Sequence, residues 1–473
     1  MSQIVAGVTD DRTALLGLAA SCIALAAAGL DPHVLDPGQA RMRAALAETP
    51  SLEIALTIAA LVQAAFLLAG GAIADTWRSR RILAAALLGL AVASAGATLM
   101  PDGPGLVASR VLAWACDGLI IPFAVGSAAV LYRGEARATA LGILFAVFGA
   151  ASIIGPTLVG LFGPGGPEVQ AFALCAAVSL LGVWATRRWL PDLPGALPGQ
   201  RLVIATTALW AFGIVAAVDG LAQAEWWLVL LGGAFIATGL GARRISRRPA
   251  DEGVRVRQGG AALAAGIVIG FSQAAPLLAR PTFFTVVQRI DGLVANVLLA
   301  PFVIALMVAG PASGWLLARF SPRVLVIGGV WTIAAGDIAF SVVMGPATPY
   351  LALVVPFGLV GAGFVVSTAI RTAVIFASTP RRLPATAAAL NEASIGVGTR
   401  LGTTMIVLLW TGAIGGMTLV DSLRLGLVVA GVIGAVGGVA VFLLLGSDDP
   451  VRTVWDLRDE RIAAGDEQGA ARA

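Results

Sequence analysis

Apolar and polar positions alternate along this chain in long blocks, with neither the period of a strand nor the one-sided face of a surface helix. About 20 consecutive apolar residues in a helix cross the hydrocarbon core of a bilayer, and the chain offers such runs repeatedly. They predict helices over Thr13–Leu30, Leu52–Ala74, Ile82–Leu99, Leu106–Leu131, Ala138–Phe162, Val169–Arg187 and Leu202–Asp219. The remaining seven are Trp226–Ala242, Gly260–Phe283, Gly292–Leu317, Val324–Val343, Tyr350–Phe376, Ala385–Thr411 and Ser422–Gly446. The expected fold is an all-α integral membrane protein. Fourteen crossings put both chain ends on one side.

Arginine placement agrees with that alternation. With the N-terminus cytoplasmic, the inner segments hold Arg12, Arg78, Arg80, Arg81, Arg133, Arg137, Arg187, Arg188 and Arg201. They also hold the cluster from Arg243 to Arg257, then Arg319, Arg323, Arg381, Arg382 and the arginines of the tail. The outer loops are left with Arg41, Arg43, Arg280, Arg289 and, at a helix edge, Arg424. Short loops follow this positive-inside bias, so the net charge of +4 reads as topology, with no nucleic-acid partner implied.

Composition excludes a soluble domain. Apolar residues are 58% and charged residues 12% of 473, against about 45–50% and about 25% in soluble proteins. Every basic residue is arginine, which with the alanine and glycine content suggests a GC-rich bacterial genome and a bacterial inner membrane. Cys22, Cys116 and Cys175 each lie inside an apolar run and read as free thiols, without metal spacing. Met1–Arg12 lacks the basic-then-apolar design of a cleaved signal. No Gly-Lys-Ser/Thr phosphate loop, metal cluster or nucleophile triad is found, so an enzyme and a bound cofactor are not expected.

The densest polar break is Gly71-Ala72-Ile73-Ala74-Asp75-Thr76-Trp77-Arg78-Ser79-Arg80-Arg81. Asp75 ends its helix, where the macrodipole disfavours an anion. It needs a partner, either the nearby arginines or the N-terminus of another helix. A shift of 243 residues lays Gly71, Ile73, Trp77 and Arg80 on Gly314, Leu316, Phe320 and Arg323, with Ala318 in the place of Asp75. Met100-Pro101-Asp102-Gly103-Pro104 recurs as Met344-Gly345-Pro346-Ala347-Thr348-Pro349. Such a repeat is the mark of two helical lobes holding a substrate between them.

The loop resembles the signature of the major facilitator superfamily, usually written G-x-L-x-D-R-x-G-R-R; Arg78 stands for its second glycine and Thr76 for its first arginine. The resemblance implies two six-helix bundles, here 1–201 and 259–446. Two inserted helices and a linker would occupy 202–258, and 447–473 would form a cytoplasmic tail. It makes Gly71, Asp75, Arg78, Arg80, Arg81, Gly314 and Arg323 a cytoplasmic gate. The predicted fifth helix carries Gly149, Gly155, Pro156 and Gly160, similar to the G-x-x-x-G-P-x-x-G element of the family's antiporters, with Ala151 in place of the first glycine. Its bland alternative is a kinked packing helix.

Arg110-Val111-Leu112, with Pro122 twelve residues on, looks like the family's fourth-helix motif, although Ala113 and Trp114 replace its Gln-Gly. Arg110 and Asp117 share one face about 10 Å apart, with Trp114 between. Charge inside a spanning helix marks a pathway or a buried pair. Asp117 is a proton-coupling candidate, and a structural Arg–Asp pair is the alternative. The predicted thirteenth helix opens Pro384-Ala385-Thr386 and continues through Asn391-Glu392-Ala393-Ser394, similar to the quaternary-ammonium efflux branch. Glu392 is the second proton-coupling candidate, or else a carboxylate paired with Arg381, Arg382 or Arg400. This helix's N-terminus is also a candidate partner for Asp75.

Arg110, Trp114, Gln273, Arg371 and Arg400 are the substrate-cavity candidates. For Arg371 the alternative is snorkelling to the interface; for Gln273 it is core packing, as for Phe271 and Phe364. Asp337 reads as a structural partner, and His33 as solvated in an outer loop. The best fit is the fourteen-helix drug:proton antiporter group, whose first helix carries an aspartate about nine residues before a proline. Here Pro32 is that proline, and Ile23 or Cys22 takes the acid's place; the group's second thirteenth-helix acid is Gly396. A lipophilic cation needs a carboxylate in a dry cavity, so a neutral or anionic amphipath suits this chain better.

The expected function is proton-coupled export of a small amphipathic compound by alternating access, by a monomer whose partners are lipid, substrate and protons. Uncoupled movement of a lipid or metabolite is one alternative. A membrane subunit that kept the fold without turnover is another.

Overall fold

In lipid every backbone amide and carbonyl must be bonded within the protein, which leaves helices as the economical solution for apolar runs. The structure, a computed structural model, describes residues 11–45, 51–76, 79–100, 103–132, 134–161, 167–192, 213, 216, 217, 220, 226–245, 256–378, 384–410 and 417–445. All regular structure among them is helical: α1 Asp11–Ala45, α2 Ser51–Thr76, α3 Ser79–Leu99, α4 Gly103–Leu131, α5 Gly134–Leu161, α6 Pro167–Trp189 and α7 Trp226–Ile245. Then come α8 Val256–Thr282, a π-helical segment Phe283–Val287, α9 Gly292–Val297, α10 Ala300–Arg319, α11 Pro322–Val343, α12 Leu351–Ser378, α13 Pro384–Trp410 and α14 Leu419–Leu444. Among the described residues nine helices are long and apolar enough to cross a bilayer, and Leu61–Asp75 and Trp226–Thr238 are shorter apolar stretches.

Three expectations change. The first helix does not stop at Leu30: its backbone stays helical to Ala45, so His33, Arg41 and Arg43 lie on a helix instead of in a loop. Beyond Gly38, the residues Gln39 to Ala45 are good helix formers, and they carry it on. Arg280 is not in an outer loop either. It lies in the last turn of α8 and is 4% exposed, because that helix runs on into the π segment. The predicted tenth helix is interrupted between α9 and α10, where Pro301 starts the second piece. Most of the predicted seventh helix lies outside the described residues. Its described positions Gly213, Ala217 and Gly220 meet Ile236, Gly232 and Val229 of α7 in falling order, which is antiparallel pairing. Ala216 and Leu228 bury Leu61 of α2, so this hairpin rests on α2.

The repeat seen in the loops governs the packing. In the first half α1 packs on α4, α5 and α6, α3 on α4 and α6, and α2 on α4. In the second, α8 packs on α12, α13 and α14, α11 on α12 and α14, and α10 on α12. Matching α1–α6 in order with α8, α10, α11, α12, α13 and α14 reproduces every pairing. The interface obeys the same exchange: α2 and α4 lie on α13, as α10 and α12 lie on α5. That self-complementary pattern is a pseudo-two-fold joint. Small residues let its helices touch. A Cβ on Gly142 of α5 would collide with the Gly310 carbonyl of α10, and one on Gly314 with Thr139 of α5.

Candidate functional site

α13 opens at Pro384, whose ring presets the first helical residue and leaves the next amides bare. Asp75, at the end of α2, is 3% exposed and fills that position. Its Oδ1 accepts the Ala385 N–H at 2.9 Å and its Oδ2 the Thr386 N–H at 2.9 Å. The carboxylate thus leaves its own helix's negative end for the positive end of another. Gly71 makes the approach feasible: a Cβ there would fall 2.7 Å from the Ala389 Cβ and 2.8 Å from the Ala385 carbonyl. Gly126 of α4 meets the Ala385 Cα from the other side. One turn on, Leu68 and Ala389 bury one another, with Leu390 and Ala393 alongside. The halves are shut at this end.

Further along the same face of α13 they separate. Gly396 is exposed, and a Cβ there would meet nothing within 4 Å. Ala389, Ala393, Gly396 and Arg400 follow the helical repeat, so exposed Gly396 and half-buried Arg400 lie above the clasp on its own face of α13, with half-buried Glu392 one turn below Gly396.

Behind Glu392 lies a polar network joining α8, α12 and α13. Arg371 is wholly buried. Its Nη1 donates to Ser394 Oγ at 2.7 Å and the Ala262 carbonyl at 3.5 Å, and its Nη2 to the Asn391 carbonyl at 3.3 Å. Asn391 Nδ2 donates to Glu392 Oε1 at 2.9 Å, and Thr372 Oγ1 donates to Asn391 Oδ1 at 2.9 Å. Arg371 and Glu392 attract one another across this network. Space for the guanidinium comes from Gly266, where any side chain would overlap it. Snorkelling is therefore ruled out for Arg371. The roles of Ser394, Thr372 and Gly266 in this network are not visible in the sequence, because each depends on a partner in another helix.

The other expected residues fall apart from this centre. Arg110 is 5% exposed and lies with its Cζ 4.3 Å from the centroid of the Phe172 ring in α6. That places it inside the first half, away from the interface. Asp117 is wholly buried in α4. Trp114 is half-buried. Gln273 is buried in α8, its Nε2 without an acceptor among the described residues. Arg323 belongs to the second half alone: it donates to the Phe442 carbonyl at 2.6 Å and covers that ring at 3.5 Å. Arg80 is half-buried and Arg81 exposed; Arg78 lies outside the described residues. On α5, Gly149 meets Leu306 of α10 and Gly155 the Leu30 carbonyl of α1. Pro156 and Gly160 continue that helix. Among the described residues no group of His, Cys, Asp and Glu could hold a metal.

Two like bundles of apolar helices, meeting at a pseudo-symmetric joint that is closed at the Asp75 end, define a polytopic helical membrane protein. The Major Facilitator Superfamily model matches residues 14–243, just under half of the chain. The chain is similar to a triacylglyceride transporter of Mycobacteroides abscessus, 29% identical over 316 residues, 61% of this chain and 58% of that protein. The match therefore spans little more than half of that relative's length. It is 29% identical to the puromycin resistance protein pur8 of Streptomyces alboniger over 447 residues, 88% of this chain and 85% of the relative. To the multidrug efflux pump LfrA of Mycolicibacterium smegmatis it is 26% identical over 368 residues, 74% of this chain and 71% of the pump.

Proposed function

We propose that this chain is a secondary transporter exporting a small amphipathic molecule by alternating access, with proton entry as the driving force. The carrying observation is the pair of bonds from Asp75 to the first amides of α13, which cross the joint and exist only while that end is shut. In this reading the Asp75 end faces the cytoplasm of a bacterial inner membrane, with both termini on that side. Fourteen crossings divide into bundles 1–201 and 259–446, with 202–258 inserted and 447–473 as a tail. The protein works as a monomer. Glu392 and Asp117 are the coupling acids, Glu392 being the one beside the cavity. Arg371 and Asn391 already answer the charge of Glu392, so the floor offers little to a cation and Arg400 attracts an anionic or ester oxygen.

A second reading is uncoupled lipid movement. It is favoured by the likeness to a triacylglyceride transporter and by the absence of an acid at Ile23 or Cys22. Proteoliposomes with a pH-sensitive dye inside separate the two, using puromycin and a fluorescent triacylglycerol as probes. Proton movement on adding either probe, lost in Glu392→Gln, is the expected result. Flux without proton movement would select the lipid reading. No flux of any probe tested, with stable co-purification of another membrane protein, would select the structural role. Unchanged proton-coupled flux in Asp117→Asn would remove Asp117 from the pathway.

A further inference from the structure

The second half holds another buried acid, away from the clasp and from Glu392. Asp337 of α11 is wholly buried, and neither carboxyl oxygen accepts a hydrogen bond from any described residue. Its near cation is Arg280 at the far end of α8, which acts on it electrostatically. Yet Arg280 is occupied elsewhere. Its Nε donates to the Pro276 carbonyl at 2.7 Å, and its Cζ lies 4.4 Å from the Phe302 ring centroid and 5.7 Å from that of Phe357. Phe357 belongs to a cluster of edge-packed rings with Phe283, Phe284 and Phe340, which seals the region. The guanidinium therefore has π faces to satisfy it, while the acid has no donor.

An ionised carboxylate in a dry interior is tolerated when donors or a contacting cation hold its charge. Asp337 has neither arrangement. On the same helix, Gly336 lies against the Pro356 carbonyl and Val360 of α12, and Ala334 and Ile338 lie against Gly431 of α14, so α11 is closely packed on both sides of Asp337. The nearest charges on α14, Arg424 and Asp421, engage one another, and Arg424 also donates to the Met344 carbonyl. A buried ion pair placed for stability would be in contact. This one is held apart.

We propose that Asp337 is a proton-binding site in the second half, and that Arg280 is the cation that expels the proton when the far end of α8 moves. That end is built to move. The helix widens into the π turn Phe283–Val287, closed by the Gln288 N–H on the Phe283 carbonyl at 2.9 Å, and Arg289 follows at φ 55°. Single π turns recur at functional sites. A small rotation there carries Arg280 from the rings toward the carboxyl, and the released proton leaves by the opening this makes. The idea rests on the proton-coupled reading, but its first test does not.

That test is infrared difference spectroscopy of the purified full-length protein across neutral pH. A carboxylic-acid band present in the wild type and missing in Asp337→Asn is expected, with melting temperature unchanged, since the amide mimics the neutral acid. An identical band in Asp337→Asn overturns the proposal. So does a sharp loss of stability that Arg280→Gln restores, which would identify an ionised structural pair. In proteoliposomes, Asp337→Asn should move substrate with proton movement at least tenfold weaker. If wild-type flux carries no protons while the band behaves as expected, the coupled reading fails and the proton site stands.

Discussion

Replacing Asp75 by asparagine tests the joint at its narrowest point. The carboxylate receives two amide hydrogens at 2.9 Å each, and bonds to a charged acceptor are worth about 1.5–3 kcal/mol apiece. Asparagine keeps one acceptor, loses the charge and turns its own N–H2 toward the second amide. The helix-terminus attraction, about 0.3–1 kcal/mol at exposed sites and more when buried, goes as well. A net loss of about 3 kcal/mol is expected for the state shut at this end. With tenfold per 1.4 kcal/mol, the shut-to-open ratio should fall roughly a hundredfold. The assay is thiol labelling of Ala389→Cys, which the shut state covers with Leu68, in a chain whose Cys22, Cys116 and Cys175 are replaced. Faster labelling in Asp75→Asn, with normal membrane insertion, is the expected result. Asp75→Arg puts a cation on the positive helix end and should abolish flux. Labelling within twofold of the parent, or wild-type flux in Asp75→Arg, would refute the clasp.

Two further outcomes follow from the packing. Arg371→Gln removes the bonds to Ser394 and Asn391 and leaves Glu392 without its counter-charge. About 3 kcal/mol of stability should go, the low end for a broken buried pair because Glu392 is half-exposed, and adding Glu392→Gln should restore part of it in a thermal melt. Gly142→Ala drives a methyl into the Gly310 carbonyl, an overpacking of about 1–3 kcal/mol. Lower melting temperature and slower flux should appear together.

The helices were legible because apolar length alone specifies a crossing. The clasp was legible too, since a carboxylate at a helix C-terminus must find donors and Pro384 advertises a helix start. What the sequence hid were the buried arginines. Whether an arginine near the edge of an apolar run reaches for water or turns inward depends on partners on other helices, from 20 to 109 positions away for Arg371. Arg371 turns inward because Gly266 leaves room and Ser394 offers oxygen. Arg280 does so because Phe302 and Phe357 offer faces, and Arg110 because Phe172 does. None of these contacts has a local spacing to read. The long first helix is hidden for a different reason: its apolar run ends at Leu30, and the helix continues to Ala45 through polar residues that apolar length does not register.

The repeat makes one more difference intelligible. Symmetry gives each half a glycine pressed on the start of a partner helix: Gly71 on α13 and Gly314 on α5, the latter 2.6 Å from the Glu135 carbonyl at the Cβ position. Only one of these helix starts borrows an acid. α5 carries Glu135 in its own first turn, so its exposed amides have a negative neighbour whatever the other half does. α13 has no acid in its first turn and must take Asp75 from across the joint. Opening this end therefore strips α13 of its counter-charge, while α5 keeps its own.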